Sequence, residues 1–171
     1  MKKSSLKSNI CPVPLEQQPI YEYEQLKNSW FFSWATLDSL SYGKKVIWMV
    51  FWGGLFASPI SWGSFSPQKE PIMFSLFVAL GSVLLTGFIT IQFYLAWLYI
   101  YNRLNKETVL YEESGWYDGQ IWEKPLETIN RDRLIITQNI NPILSRLKKT
   151  LLILIILIIL GIMIYFLASN F

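Results

Sequence analysis

The sequence predicts a mainly α membrane protein: three transmembrane helices, an N-terminal amphipathic helix at the interface, and a small β-hairpin plus helix between the second and third spans. Three observations predict it. Hydrophobic residues make up 52% of the chain and charged residues only 16%, too apolar for an ordinary small soluble domain. Residues 46–63, 72–102 and 150–168 carry no charge at all, and each run is long enough to cross a hydrocarbon core of about 30 Å. Outside these runs the polar residues gather into an arm (1–45), a short loop (64–71) and a larger segment (103–149).

The arm begins polar and Lys/Ser-rich, with no apolar region behind its positive start, so it is not expected to be a cleavable secretory signal. Its first residues, MKKSSLKSN, are also too short for a typical transit peptide. Residues 11–19, CPVPLEQQP, hold three prolines, which bias the backbone to an extended path. From there the period changes. Tyr23, Leu26, Trp30, Trp34 and Leu37 recur at three- and four-residue steps, which predicts one apolar face of a helix over 23–37. Residues 38–42 are expected to turn the chain into the bilayer.

In the first span, Gly53, Ala57 and Ser61 fall four apart, a stripe of small residues that lets a second helix approach closely. Pro59 is expected to kink its far end. In the second span Ser75, Ala79 and Gly87 share a face and are the expected counterpart. That span is longer than a bilayer core, and Tyr94, Trp97, Tyr99 and Tyr101 at its end read as an aromatic belt. Gln92 is its one strongly polar side chain at depth, suited to an interhelical hydrogen bond rather than to a pigment metal. The third span is nearly pure Leu and Ile, with little to mark a packing face.

The segment 103–149 contains YEESGWYDGQIWEKP at 111–125. Residues 108–113 and 116–123 are aromatic-rich runs around Ser114-Gly115, which predicts a β-hairpin. Pro125 ends the second strand. Residues 126–140 then look helical, with Leu126, Ile129, Arg133 and Ile136 along one side, and Asn141-Pro142 is expected to break or restart the helix. Lys and Arg number six in the arm, one in 64–71, eight in 103–149 and none after 150. The positive-inside rule therefore puts the arm and the large segment on the inner side and the C-terminus across the membrane.

Inventory closes many functions. The chain has no His and one Cys, Cys11, so by itself it forms no His-ligated haem, Ser–His–Asp triad, Cys/His zinc site, iron–sulfur cluster or intrachain disulfide. No Gly-rich phosphate loop is present, no metal ligand set is expected, and the net charge of +3 is too small and dispersed for nucleic acid. Glu112, Glu113, Asp118 and Glu123 are carboxylates for acid/base or metal chemistry, yet neighbouring residues on a strand face opposite ways and form no obvious pair. Trp30, Trp34, Trp116, Tyr117, Asp118, Trp122 and Glu123 suit a partner-binding surface better, since aromatic side chains anchor interfaces. The same aromatics also suit roofing the helix ends.

CPVPLEQQPI (11–20), LKNSWFFSWATLD (26–38), ETVLYEESGWYDGQIWEKP (107–125), RDRLI (131–135) and PILSRLK (142–148) resemble the hypothetical chloroplast open reading frame thirty-six family. Its plant relatives are called Conserved in the Green Lineage and Diatoms twenty-seven. The resemblance implies a plastid or cyanobacterial membrane, most plausibly the thylakoid, with both polar segments on the stromal side. It carries no catalytic or ligand residue. The expected function is non-enzymatic: binding, assembling or stabilising a photosynthetic complex, with the lipid bilayer and photosystem or assembly-factor subunits as partners. No cofactor is required, contact with chlorophyll or carotenoid being left open. The rivals are a pigment or metal carrier and a carboxylate-dependent membrane enzyme.

Overall fold

The computed structural model describes residues 11–111 and 120–169. A short 3-10 turn, Leu15–Gln17, leads into helix α1 (Pro19–Asn28), and a second 3-10 turn spans Phe32–Thr36. Helices α2 (Ser39–Ser64) and α3 (Pro71–Asn105) follow, then strands β1 (Thr108–Tyr111) and β2 (Gln120–Glu123). Helix α4 (Leu126–Ile135), a π turn (Ile136–Ile140) and α5 (Asn141–Ser169) complete the chain. Among the described residues three helices are long and apolar enough to cross a membrane: Ser39–Ser64, Pro71–Asn105 and the continuous rod Leu126–Ala168.

The arm is not one helix. Pro19 starts α1 where its missing N–H costs nothing, and Ser29, extended, ends it. The 3-10 turn that follows lets Phe31, Phe32 and Trp34 all reach Phe93, with ring centroids 4.7, 5.7 and 6.4 Å away. Packing three rings on one outweighs the continuous face expected over 23–37. Tyr23 keeps its place on that face, edge-on to Trp97 at 6.2 Å. Trp30 does not, and is 80% exposed.

Helix α2 begins earlier than expected, because Asp38 caps it by accepting from the Ser41 N–H at 3.2 Å. Hydrogen bonding from Ser41, through its hydroxyl first and its backbone N–H second, holds the Asp38 carboxyl below its usual range. Pro59 sits inside α2 and leaves the Leu55 carbonyl without its helical donor; the Ser58 hydroxyl donates to it instead, at 2.9 Å. Gly53, Ala57 and Ser61 are buried, but their counterpart on α3 is not the expected one. A Cβ on Gly53 would stand 3.0 Å from the Ser82 carbonyl oxygen, and one on Gly81 only 2.8 Å from Cβ of Ala57. Ser82 also donates to the Val50 carbonyl across the interface at 2.6 Å. Ser75 and Ala79 are exposed, and a Cβ on Gly87 would meet nothing within 4 Å. The face of α3 turned inward is set by Phe93, Trp97, Ile100 and Leu104 near its C-terminus, and extending that face back leads to Thr90, Thr86 and Ser82. Gln92 is exposed on another side.

Asn141-Pro142 does not break the last helix. Proline lacks the N–H and its ring crowds the carbonyl four residues back. The chain widens into a π turn just before it, with the Asn141 N–H bonding the Ile136 carbonyl five residues back. The buried side of α4 carries Asp132, continued by Ile136 and Ile140 of the π turn, whereas Leu126 and Arg133 are exposed.

The main core lies at one end of the bundle. Tyr23, Ala35 and Tyr42 meet Phe93, Trp97, Ile100 and Leu104 of α3 and Ile136, Ile140, Ile143, Leu144 and Leu147 of the last rod. Along the most apolar windows of the three long helices only 22%, 11% and 11% of residues are buried within the chain. At 1.5 Å per residue α3 is about 52 Å long, more than the roughly 30 Å of a hydrocarbon core, and its C-terminal part enters this packed end, called the head below. The hairpin sits there too. Tyr111 pairs with Gln120 and Thr108 with Glu123; a two-residue Ser114-Gly115 turn would instead pair Tyr111 with Asp118. The slip is of two residues, so each side chain keeps its face.

Candidate functional site: a polar cavity beneath the hairpin

The arm, the end of the hairpin and α4 line a half-open cavity of about 150 Å³. Cys11, Gln18, Pro19 and Ile20 line it from the arm, Trp122 and Lys124 from the end of the hairpin, and Thr128, Arg131 and Asp132 from α4. Local chemistry places each. Pro14 holds extended backbone before the first 3-10 turn, and the Gln18 side-chain amide donates to the Val13 carbonyl at 3.0 Å. This folds the proline-rich stretch back so that Val13 packs with Val109 and Tyr111, with Cys11 and Trp122 beside them. Lys124 extends the ladder through its N–H to the Glu107 carbonyl, 2.9 Å. Pro125, extended, then starts α4, bringing Asp132 under Lys124.

Lys124 and Asp132 form a buried ion pair. Their side chains are 1% and 3% exposed, with Nζ 2.7 Å from Oδ2. Nζ also donates to the Leu104 carbonyl at 3.1 Å, one of the last carbonyls of α3, which lack helical donors. A cation there also complements the negative end of the helix dipole. The other carboxylate oxygen, Asp132 Oδ1, has no hydrogen-bond partner; the Arg131 guanidinium stands 3.6 Å from it. A lone Lys among carboxylates and an Asp on an apolar helix face were the visible signals of this pair, and neither marks a site by residue type alone.

A second charged pair pins the arm to α3. Arg103 donates to Glu22 at 2.9 Å and to the Gln17 carbonyl at 3.0 Å. Burial raises the Glu22 carboxyl above its usual value by more than Arg103 lowers it. On the last rod, Arg146 donates to the Leu37 carbonyl and lies 5.5 Å over the Tyr42 ring.

The residues expected to bind a partner part company. Trp34 is half-buried, with Lys45 4.6 Å over its ring, and Trp122 is half-buried against the Val13 cluster. Both are engaged within the chain. Trp30 and Glu123 are exposed. Trp116, Tyr117 and Asp118, with Glu112 and Glu113, lie outside the described residues. What the sequence reading missed is the outer face of the hairpin: Leu110 and Ile121 stand opposite each other, 62% and 67% exposed. Strand alternation inside 108–111 and 120–123 was the available signal, overshadowed by the aromatics. Among the described residues no group of three Cys, Asp or Glu is placed to hold a metal ion.

Residues 11–153 match the family model CGLD27-like, conserved in the green lineage and diatoms 27. The chain is 48% identical over 147 residues to the uncharacterized protein ycf36 of Pyropia yezoensis, covering 86% of this chain and 89% of that one. It is 37% identical to the Arabidopsis thaliana protein conserved in the green lineage and diatoms 27, chloroplastic, over 85% of this chain and 45% of the plant protein. The ycf36 protein of Cyanophora paradoxa is 38% identical over 142 residues, 83% of this chain and 89% of that one. No solved structure matches the chain.

Proposed function

We propose, from the premise that the chain belongs to the CGLD27-like family, that it is a non-enzymatic accessory protein of the thylakoid membrane that binds, assembles or stabilises a photosynthetic complex. Three apolar helices are its anchors, with the arm and the 103–149 segment stromal and the C-terminus lumenal. The packing of the arm on the C-terminal part of α3 and beside the hairpin supports this orientation, since both polar segments gather at one end of the bundle. The chloroplastic relative in Arabidopsis supports a plastid setting.

The observation that carries the docking role is the exposed Leu110–Ile121 pair. It lies in the head, beyond the apolar windows that lipid would cover, and its partner is to be a photosystem or assembly-factor subunit. Burying such a side chain fully is worth about 1.5–3 kcal/mol, so the pair is a usable anchor. Trp30, of a type common among interface anchors, offers a second.

The test is affinity purification of a tagged chain from photosynthetic membranes, with native gels and mass spectrometry. We expect photosystem or assembly-factor subunits to co-migrate, and Leu110→Lys with Ile121→Lys to release them while the chain still accumulates. A chain that purifies alone carrying stoichiometric pigment or metal would overturn this reading in favour of a carrier.

A further inference from the structure

The cavity beneath the hairpin holds hydrogen-bonding capacity that the fold leaves over. Lys124 has three N–H donors and spends two, on Asp132 Oδ2 and the Leu104 carbonyl. Asp132 Oδ1 accepts no hydrogen bond, although the side chain is only 3% exposed. Leaving such a group unsatisfied is costly, and both residues line the same space. Arg131, 57% exposed, and the Thr128 hydroxyl line it too.

These groups define what fits. The lining charges are Lys124 and Arg131 against Asp132, one positive charge in excess, so a monoanion neutralises the site. The ligand must accept from Lys124, Arg131 or Thr128 and must also bring a hydrogen for Asp132 Oδ1. A monovalent oxyanion that still carries a proton does both. At about 150 Å³ the cavity takes a molecule of a few heavy atoms, given that one water occupies about 30 Å³ of liquid. We propose that this cavity binds a small protonated monovalent oxyanion, of the hydrogencarbonate or dihydrogenphosphate kind, accepting from Lys124 and Arg131 and donating to Asp132 Oδ1. Cys11, Gln18, Pro19 and Ile20 of the arm and Trp122 of the hairpin line it as well, so the site is made by the arm and the hairpin together. The site is separate from the outer hairpin face, and its ligand is independent of any docked partner.

The test uses the full chain purified in detergent micelles and titrated at constant ionic strength with hydrogencarbonate, phosphate, nitrate or sulfate, followed by calorimetry. Saturable binding of hydrogencarbonate or phosphate, with nitrate and sulfate at least tenfold weaker, is expected; the tighter of the first two identifies the ligand. Thr128→Val and Arg131→Gln should each weaken it about tenfold without moving the thermal transition, because neither removes the buried pair. Equal response to all four anions, or no saturable binding by either protonated anion, would overturn the proposal. So would binding that both variants leave intact.

Discussion

Replacing Lys124 by Met tests the head most sharply. The substitution keeps an unbranched apolar stem but removes the ammonium, leaving the Asp132 carboxylate, 3% exposed, with neither oxygen hydrogen-bonded and the Leu104 carbonyl without its donor. Breaking a buried pair in this way costs about 3–5 kcal/mol. For a chain of this size each kcal/mol moves the thermal midpoint by roughly 2–4 °C, so Lys124→Met should lower it by about 6–20 °C. Tryptophan fluorescence in micelles is the readout, since Trp97 and Trp122 sit in or beside the head core. The companion double variant, Lys124→Met with Asp132→Leu, removes both charges and should regain most of the loss, because a buried ion pair contributes little against a well-packed apolar pair. A single variant that melts within about 2 °C of the parent, or a double variant as weak as the single, would refute the assignment of this pair as the head's electrostatic tie.

Other outcomes follow from the same geometry. In a Cys11→Ser background, cysteines placed at Glu127 and Gln68 should label from the stromal and the lumenal side respectively; the reverse pattern would invert the proposed orientation. Phe93→Ala should destabilise by about 3–5 kcal/mol, because Phe93 is 1% exposed beneath three aromatic rings, whereas Trp30→Ala should shift melting by less than about 0.5 kcal/mol. Equal effects in a denaturation series would contradict the broken arm helix. Glu22 gives a pH dependence of defined sign. Its folded carboxyl is raised above 4.5, so the folded chain holds that proton more tightly, and its contribution to stability is present at low pH and is lost as pH rises through the folded value. Amide exchange in α1 should therefore quicken across a window that starts at 4.5 and extends upward, and Glu22→Gln should flatten the change.

The three long helices were legible because their signal is composition and length, which tertiary packing does not alter. Their ends were less so, for reasons visible at particular residues. Asp38 starts α2 before the charges of Lys44 and Lys45, since capping acts regardless of where lipid begins. Pro142 reads as a stop in any local rule, and only a wider turn upstream lets the helix pass it. The α3 stripe was misplaced because Ser75, Ala79 and Gly87 are small, while the facing side is chosen by large residues about two to six turns further on, Phe93 and Trp97, which have to reach the arm. The aromatic wealth of the head was evident, but not which rings turn inward: Trp34 and Trp30 are one helical turn apart in sequence and end half-buried and exposed. The Lys124–Asp132 pair joins residues eight apart through a proline bend, a geometry that no periodic pattern announces.

The π turn keeps time for the last rod. Asp132, Ile136, Ile140 and Leu144 are all buried, four residues apart. In an unbroken α-helix each such step overshoots a full turn by about 40°, so three of them would swing Leu144 roughly 120° away from Asp132. The single surplus residue in the wide turn sets the clock back between Ile136 and Ile140. The same rod can thereby present Asp132 to Lys124 at one end and Leu144 and Leu147 to α3 further along. Winding the same residues as an unbroken α-helix would turn Asp132 by about 100° relative to the lower half, whereas deleting Thr137 would smooth the helix and leave the two ends aligned. The irregularity is what allows one straight element to satisfy two different surfaces.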